Sequence, residues 1–135
     1  FAAPAYLAEH GEPRHPDELA RHDAVRQLQA NGEPAGWTLI QGDQRWEGVP
    51  PGRASANSPE LLIRLARAGA GIVAVPDYFA QPEVRLGLLR RVLPGWCPPS
   101  HTAWAVFPGR KLMPAKTRVF IDMLQASLGG VEAQE

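Results

Sequence analysis

Residues 53–78, RASANSPELLIRLARAGAGIVAVPDY, constrain the fold more than any other part of the sequence. The pattern predicts a short strand, a helix that begins at Pro59, a stop at Gly69 and a second strand over residues 72–75. Proline suits the first helical position, because the N–H that it lacks would have no partner there. The apolar run at residues 72–75 is typical of a strand covered on both faces. The order strand, helix, strand therefore predicts a parallel α/β layer.

The predicted helix has a polar start and one apolar face. We expect Ser58 to cap it, with the hydroxyl accepting a hydrogen bond from a free amide of the first turn. Glu60 lies in that turn, where the positive end of the helix favours an acidic side chain. The spacing of apolar residues predicts a buried face formed by Leu61, Leu62, Leu65, Ala66 and Ala68.

The start of this helix is also a candidate binding site. Ligands of open α/β sheets bind where strands end and helices begin, and here that place is residues 55–58. Free amides, together with the hydroxyls of Ser55 and Ser58, could hold a carboxylate. The alternative is structural, with Ser58 capping its helix and Asn57 serving a turn. The residues alone leave both interpretations open.

A second strand is predicted near residues 23–29. Arg26, Gln27 and Gln29 interrupt what would otherwise be an apolar run. Polar side chains on a strand either face water at the edge of a sheet or line a polar cleft. The sequence leaves this choice open as well.

The remaining elements are short, as 14 prolines and 13 glycines indicate. The other predicted helical segments are Pro4–His10, one or two turns after Pro16, one turn at residues 77–81 that Pro82 ends, and residues 114–128. The other predicted strands are a hairpin of Trp37–Gln41 and residues 44–49 around the Gly42-Asp43 turn, residues 88–93 and residues 102–107.

Composition excludes several classes of protein. The 135 residues carry no formal net charge, which argues against general attraction to nucleic acid or acidic lipid. No segment has the length and apolarity of a membrane span. Cys97 is the single cysteine, so an internal disulfide is excluded and a reducing compartment is favoured. Because the chain opens with Phe1 rather than Met, we expect it to be a piece of a longer protein.

The sequence contains no recognisable catalytic or metal-binding pattern. The four histidines match no zinc spacing, and no nucleophile motif occurs. The run from Gly69 to Ala74 matches the glycine pattern of dinucleotide sites, but its glycines follow a helix instead of preceding one. The sequence therefore predicts no catalytic residue, no metal and no cofactor.

Five motifs, taken in order, resemble the effector-binding domain of LysR-type transcriptional regulators. They are APAYLAEHG from Ala3, HPDELARH from His15, NSPELLIRLARAGAGIVAVPDY from Asn57, LLRRVLPGW from Leu88 and LMPAKTRVFIDML from Leu112. The resemblance extends from Ala2 to Leu128. The sequence departs from the family pattern at Ala3, where serine is common, and at Arg26, where an apolar residue is usual.

The resemblance implies an α/β fold of the periplasmic-binding-protein-like (type 2) kind, with two lobes and an effector cleft between them. Residues 1–76 would form the second lobe, residues 77–128 would return to the first lobe, and residues 129–135 would be a disordered tail. This chain would be a fragment whose first lobe is incomplete, with the bare surface covered by another copy or by rearrangement.

The same resemblance implies the function. A small effector, often an organic anion in this family, would bind between the lobes and control transcription. DNA would be bound only through an N-terminal helix-turn-helix that this chain lacks, in a cytoplasmic homo-oligomer without membrane contact. A solute-binding protein of a transport system is the alternative. The implied ligand-binding residues are Gln27, Leu28, Gln29, Asn57 and Ser58, to which the helix-start argument adds Ser55.

Overall fold

The structure, a computed structural model, describes residues 1–99 and 114–128. The chain divides into two compact units, Phe1–Ser100 and His101–Glu135. The elements of the first unit are α1 (Pro4–His10), a 3-10 helix η1 (Pro16–Arg21), β1 (Ala24–Gln27), β2 (Trp37–Gln41), β3 (Gln44–Gly48), β4 (Ala54–Ala56), α2 (Pro59–Arg67), β5 (Ile72–Val73) and α3 (Asp77–Arg85). The described part of the second unit is the helix α4 (Ala115–Leu128).

A parallel three-stranded sheet, in the order β4-β1-β5, forms the centre of the first unit. Val25 pairs with Ala54 on one side and with Val73 on the other. The interpretation of β1 as an edge strand is therefore wrong. Ala24 and Val25 are each only 1% exposed, so the strand carries enough apolar surface to be covered on both faces.

The predicted unit of strand, helix and parallel strand is confirmed. α2 begins at Pro59, and a positive φ of 84° at Gly69 follows its end. β5 is shorter than predicted, and it lies beside β1 and not beside β4. Gly71 is required here, because a Cβ at this residue would lie 2.2 Å from the carbonyl oxygen of Asp23.

The buried face of α2 differs from the prediction. Leu62, Ile63 and Ala66 are buried against the sheet, whereas Leu61 is 46% exposed and Ala68 is exposed. Residues at spacings of one and four follow one side of a helix, and the sheet residues Val25, Ala56 and Val73 complete this core. Leu61 lies one position further around the helix, which turns it towards solvent.

The predictions for α1, the hairpin and the last helix are confirmed. β2 and β3 pair across Gly42-Asp43, and a positive φ of 55° at Gly42, without one at Asp43, agrees with a type II′ turn. On α4, the side chains of Val119, Phe120, Met123 and Leu124 are exposed. The strand predicted at residues 102–107 and the predicted tail lie outside the described residues.

Two further predictions are wrong. Pro82 does not end α3, because the hydrogen bond that it cannot make would involve the carbonyl of Tyr78, an exposed residue. Residues 88–93 form no strand; Arg90 alone forms a bridge, with Ala2. That pairing cannot extend, because α1 begins two residues after Ala2, at Pro4.

Candidate functional site

The carboxyl ends of β1 and β4 lie side by side. Gln27, the last residue of β1, is paired with Ala56, the last residue of β4. The N–H of Leu28 then donates to the carbonyl of Ala56 over 2.9 Å. Two segments that are distant in the sequence, residues 27–29 and 55–58, are thereby brought together at one edge of the sheet.

α2 begins at this edge. Ser58 is its N-cap residue, with extended backbone angles (φ −119°, ψ 130°), and its carbonyl accepts the N–H of Leu62 at 3.0 Å. The predicted side-chain cap is wrong: the Ser58 hydroxyl accepts no first-turn N–H, and it donates to the carboxylate of Glu60 at 2.9 Å. A charged acceptor holds a hydroxyl donor more strongly than a neutral one does. The first-turn amides of α2 are thus left without an acceptor from Ser58.

The chain after β1 turns back on itself. The N–H of Ala35 donates to the carbonyl of Gln27 at 2.7 Å, and the N–H of Gln29 donates to the carbonyl of Glu33 at 2.9 Å. These bonds use the backbone only, and the side chains of Gln27 and Gln29 are exposed. Each of these two amides can therefore offer both a donor and an acceptor to a ligand.

The predicted side chains do not share one face of the sheet. Val25 and Ala56 pack beneath α2, so the alternation of side chains places Arg26 and Ser55 on the opposite face. Ser55 and Asn57 are exposed, whereas Leu28 and Ser58 are half-buried. The six predicted residues thus form a rim along the strand ends, which we call the strand-end rim: Gln27, Leu28, Gln29, Ser55, Asn57 and Ser58.

Arg26 is a residue that the predicted set omitted. It is half-buried in the middle strand and is paired in register with Ser55. The sequence signal that could have identified Arg26 as a site residue is its charge, which lies between the apolar residues Val25 and Leu28.

An apolar cavity of about 60 Å³ lies elsewhere in the first unit. It is bounded by β5, by Trp37 and Leu39 of the hairpin and by residues 91–98, and none of the strand-end rim lines it. Asp77 and Arg91 at its border form an ion pair of 3.0 Å. This cavity is therefore a feature separate from the strand-end rim.

Within the described ranges, no group of three or more His, Cys, Asp or Glu side chains is arranged to hold a metal ion. No helix in those ranges is long and apolar enough to cross a membrane. What the strand-end rim offers is uncharged hydrogen-bonding groups and the positive end of α2, a combination that suits reversible binding of a polar small molecule.

A parallel sheet with ligand-type groups at its carboxyl edge defines the class of small-molecule-binding α/β domains. The LysR substrate binding domain family matches residues 1–129. The chain belongs to this family, which confirms the resemblance drawn from the five motifs, and its fold is of the periplasmic-binding-protein-like type 2.

Two relatives among curated proteins are transcriptional regulators. An HTH-type transcriptional regulator of Xanthomonas campestris pv. campestris is 35% identical over 131 residues, covering 95% of this chain and 38% of that protein. The HTH-type transcriptional regulator PtxR of Pseudomonas aeruginosa is 33% identical over 128 residues, covering 95% and 41%. The chain thus spans about two fifths of the length of these relatives.

Solved structures show the same fold. The regulatory domain of AphB from Vibrio vulnificus superposes with a TM-score of 0.71 at 27% identity, covering 93% of this chain and 62% of that one. CrgA of Neisseria meningitidis, a LysR-type transcriptional regulator, gives 0.70 at 29% identity, covering 96% and 44%.

Proposed function

We propose that this chain is the effector-sensing part of a DNA-binding transcriptional regulator and that the strand-end rim is its half of the effector site. The observation that carries the proposal is the meeting of the ends of β1 and β4 at the start of α2. The names of the relatives support the proposal that the chain is part of a transcriptional regulator. None of the relatives given above is a transport protein. They likewise favour sensing over catalysis.

The proposal includes the arrangement of the whole protein. Residues 1–76 belong to the second lobe of the sensor, and residues 77–128 lead back to the first. DNA is bound by a helix-turn-helix domain outside this chain, in a homo-oligomer that works in the cytoplasm. The exposed apolar side chains of α4 are consistent with a surface that other parts of the assembly cover.

In this mechanism the effector binds more tightly to one of two arrangements of the lobes. It can shift their populations only by the difference between its affinities for the two arrangements. The rim supplies groups that gain hydrogen bonds when the other lobe closes over the ligand: the free amides of α2, the hydroxyl of Ser55, and the amides of Gln27, Gln29 and Asn57. Closure then repositions the DNA-binding domains.

The test is a double substitution, Asn57→Ala with Ser58→Ala, in the full-length protein. A reporter strain is screened with a small-molecule library to find an inducer, and the dose–response midpoint is then compared between variants. Loss of one to two hydrogen bonds should raise the midpoint about tenfold or more, which corresponds to ~1.4 kcal/mol. Binding to DNA without inducer should be unchanged.

The matched control is Asp43→Ala with Gln44→Ala, two exposed residues at the hairpin turn. This control should respond like the wild type. An unchanged midpoint in the Asn57/Ser58 variant would remove the strand-end rim from the effector site.

A further inference from the structure

Arg26 differs from every other arginine that the structure describes, because it alone is not exposed. Its Nε atom is buried and has no hydrogen-bond partner among the described residues. A buried donor without an acceptor destabilises a fold, and more so when the group is charged. The sequence thus places an unfavourable group at the middle of its central strand.

Several exposed arginines of this chain, unlike Arg26, form ion pairs. Among the described residues, four exposed arginines form ion pairs with carboxylates: Arg45, Arg67, Arg90 and Arg91. All four side chains are at least 46% exposed, where such a pair contributes little. None of the ion pairs found in the described residues involves Arg26, for which a partner would contribute most.

The strand neighbours of Arg26 are small and uncharged. On β4 it is paired with Ser55, whose exposed hydroxyl lies on the same face of the sheet. On the other side the register of β5 runs from Ile72 and Val73 towards Ala74, a residue with a small side chain. Ser55, the residue paired with Arg26 in the sheet, carries no charge, and neither does Ala74, which follows β5.

We propose that Arg26 binds a carboxylate of the effector, with the hydroxyl of Ser55 donating a further hydrogen bond to it. This inference rests on the proposed function and narrows it to small organic acid anions. The planar guanidinium matches the two oxygens of a carboxylate, and one arginine balances one negative charge. Arg26 therefore selects the acid over the corresponding neutral amide, which cannot accept on both heteroatoms.

A role for Arg26 in folding alone gives a different expectation from a role in binding. If the side chain served the fold, replacing it would lower the stability of the ligand-free protein. If the arginine serves ligand binding, Arg26→Leu removes a buried Nε–H that has no partner among the described residues, and it should raise the Tm by a few degrees. The same variant should lose binding of the acid.

The binding experiment uses the full-length protein and two matched pairs of probes, benzoate with benzamide and succinate with succinamide, in isothermal titration calorimetry. The wild type should bind at least one acid about tenfold more tightly than its amide. Arg26→Gln should reduce that affinity by about tenfold or more, and Arg26→Lys should retain part of it. The control Arg64→Gln, an exposed position on α2, should bind as the wild type does.

Three results would overturn the inference: equal affinity of the wild type and Arg26→Gln, equal affinity for acid and amide, or no binding of either acid. Binding of an amide that depends on Asn57 and Ser58 but not on Arg26 would support the proposed function. It would reject only the inference that the effector is an organic acid anion bound by Arg26. A fall in the Tm of Arg26→Leu, with acid binding retained, would assign Arg26 to the fold.

Discussion

The phenolic oxygen of Tyr6 lies 3.2 Å from Nδ1 of His22, and both residues are buried. The same oxygen accepts a hydrogen bond of 2.9 Å from the N–H of Asp23. When the His22 ring is neutral with its proton on Nε2, Nδ1 accepts the hydroxyl proton of Tyr6. The contact fixes α1 to the residue that precedes β1, so it helps to hold the central strand in place.

This contact predicts that acid destabilises the protein. Burial lowers the pKa of His22 from its usual value of 6.5, and the neighbouring His10 lowers it further, although Glu18 and Asp23 oppose the shift. Between the two pKa values the unfolded chain binds more protons than the folded chain. The contribution to stability is thus complete above about pH 6.5 and is lost as the pH falls through the folded-state pKa.

Urea unfolding at about pH 8 and about pH 5 measures this effect. The wild type should lose stability at the lower pH, and a His22→Asn variant should lose less. An equal loss in both proteins would show that His22 is not responsible.

Tyr6→Phe removes the hydroxyl that serves both His22 and Asp23. The substitution leaves a buried acceptor and a partly buried donor without their partner, so we expect a loss of about 1–3 kcal/mol in the free energy of unfolding. Tyr78→Phe is the control, because Tyr78 is 69% exposed and should change stability by less than about 0.5 kcal/mol. Similar values for the two variants in urea unfolding would contradict the role given to Tyr6.

The orientation of α2 gives a third prediction. Leu62 is 1% exposed and Leu61 is 46% exposed, although they are adjacent and chemically identical. Leu62→Ala should therefore cost about 2–5 kcal/mol, whereas Leu61→Ala should cost less than half as much. Urea unfolding measures the free energy of unfolding of both variants. A larger loss of stability for Leu61→Ala than for Leu62→Ala would mean that α2 is rotated about its axis.

Gly69 and Gly71, the two glycines after α2, give a fourth prediction. At Gly69 a Cβ meets nothing within 4 Å, so Gly69→Ala bears only the strain of a φ of 84°, about 1–2 kcal/mol. At Gly71 a Cβ would approach the carbonyl oxygen of Asp23 to 2.2 Å, which forces β5 away from the start of β1. Gly71→Ala should be at least twice as destabilising in thermal or urea unfolding. Equal losses would argue against this close approach of the two backbones.

Much of the fold could be predicted because its signals are local. Pro59 and Gly69 mark the ends of α2, and Gly42 marks the hairpin turn. The errors arose where distant contacts decide. Leu61 and Leu62 are equivalent until the sheet covers one of them, and β1 resembles an edge strand until β4 and β5 pair with it.

The candidate site was predicted in part. The resemblance to the family and the rule for parallel sheets selected both segments of the strand-end rim, and the structure brings these segments together. Arg26 was interpreted as an interruption of a strand, since its missing partner cannot be recognised without coordinates. The Ser58 hydroxyl, which was predicted to accept a first-turn amide of α2, accepts none and donates to the carboxylate of Glu60.

Amide hydrogen exchange of the full-length protein, with and without a saturating inducer, tests the central claim most directly. Binding at the strand-end rim should slow exchange at residues 27–29 and 55–60, where the first-turn amides of α2 gain acceptors, and leave residues 41–44 of the hairpin unchanged. Slower exchange confined to the hairpin or to α3, with none at residues 55–60, would contradict the account.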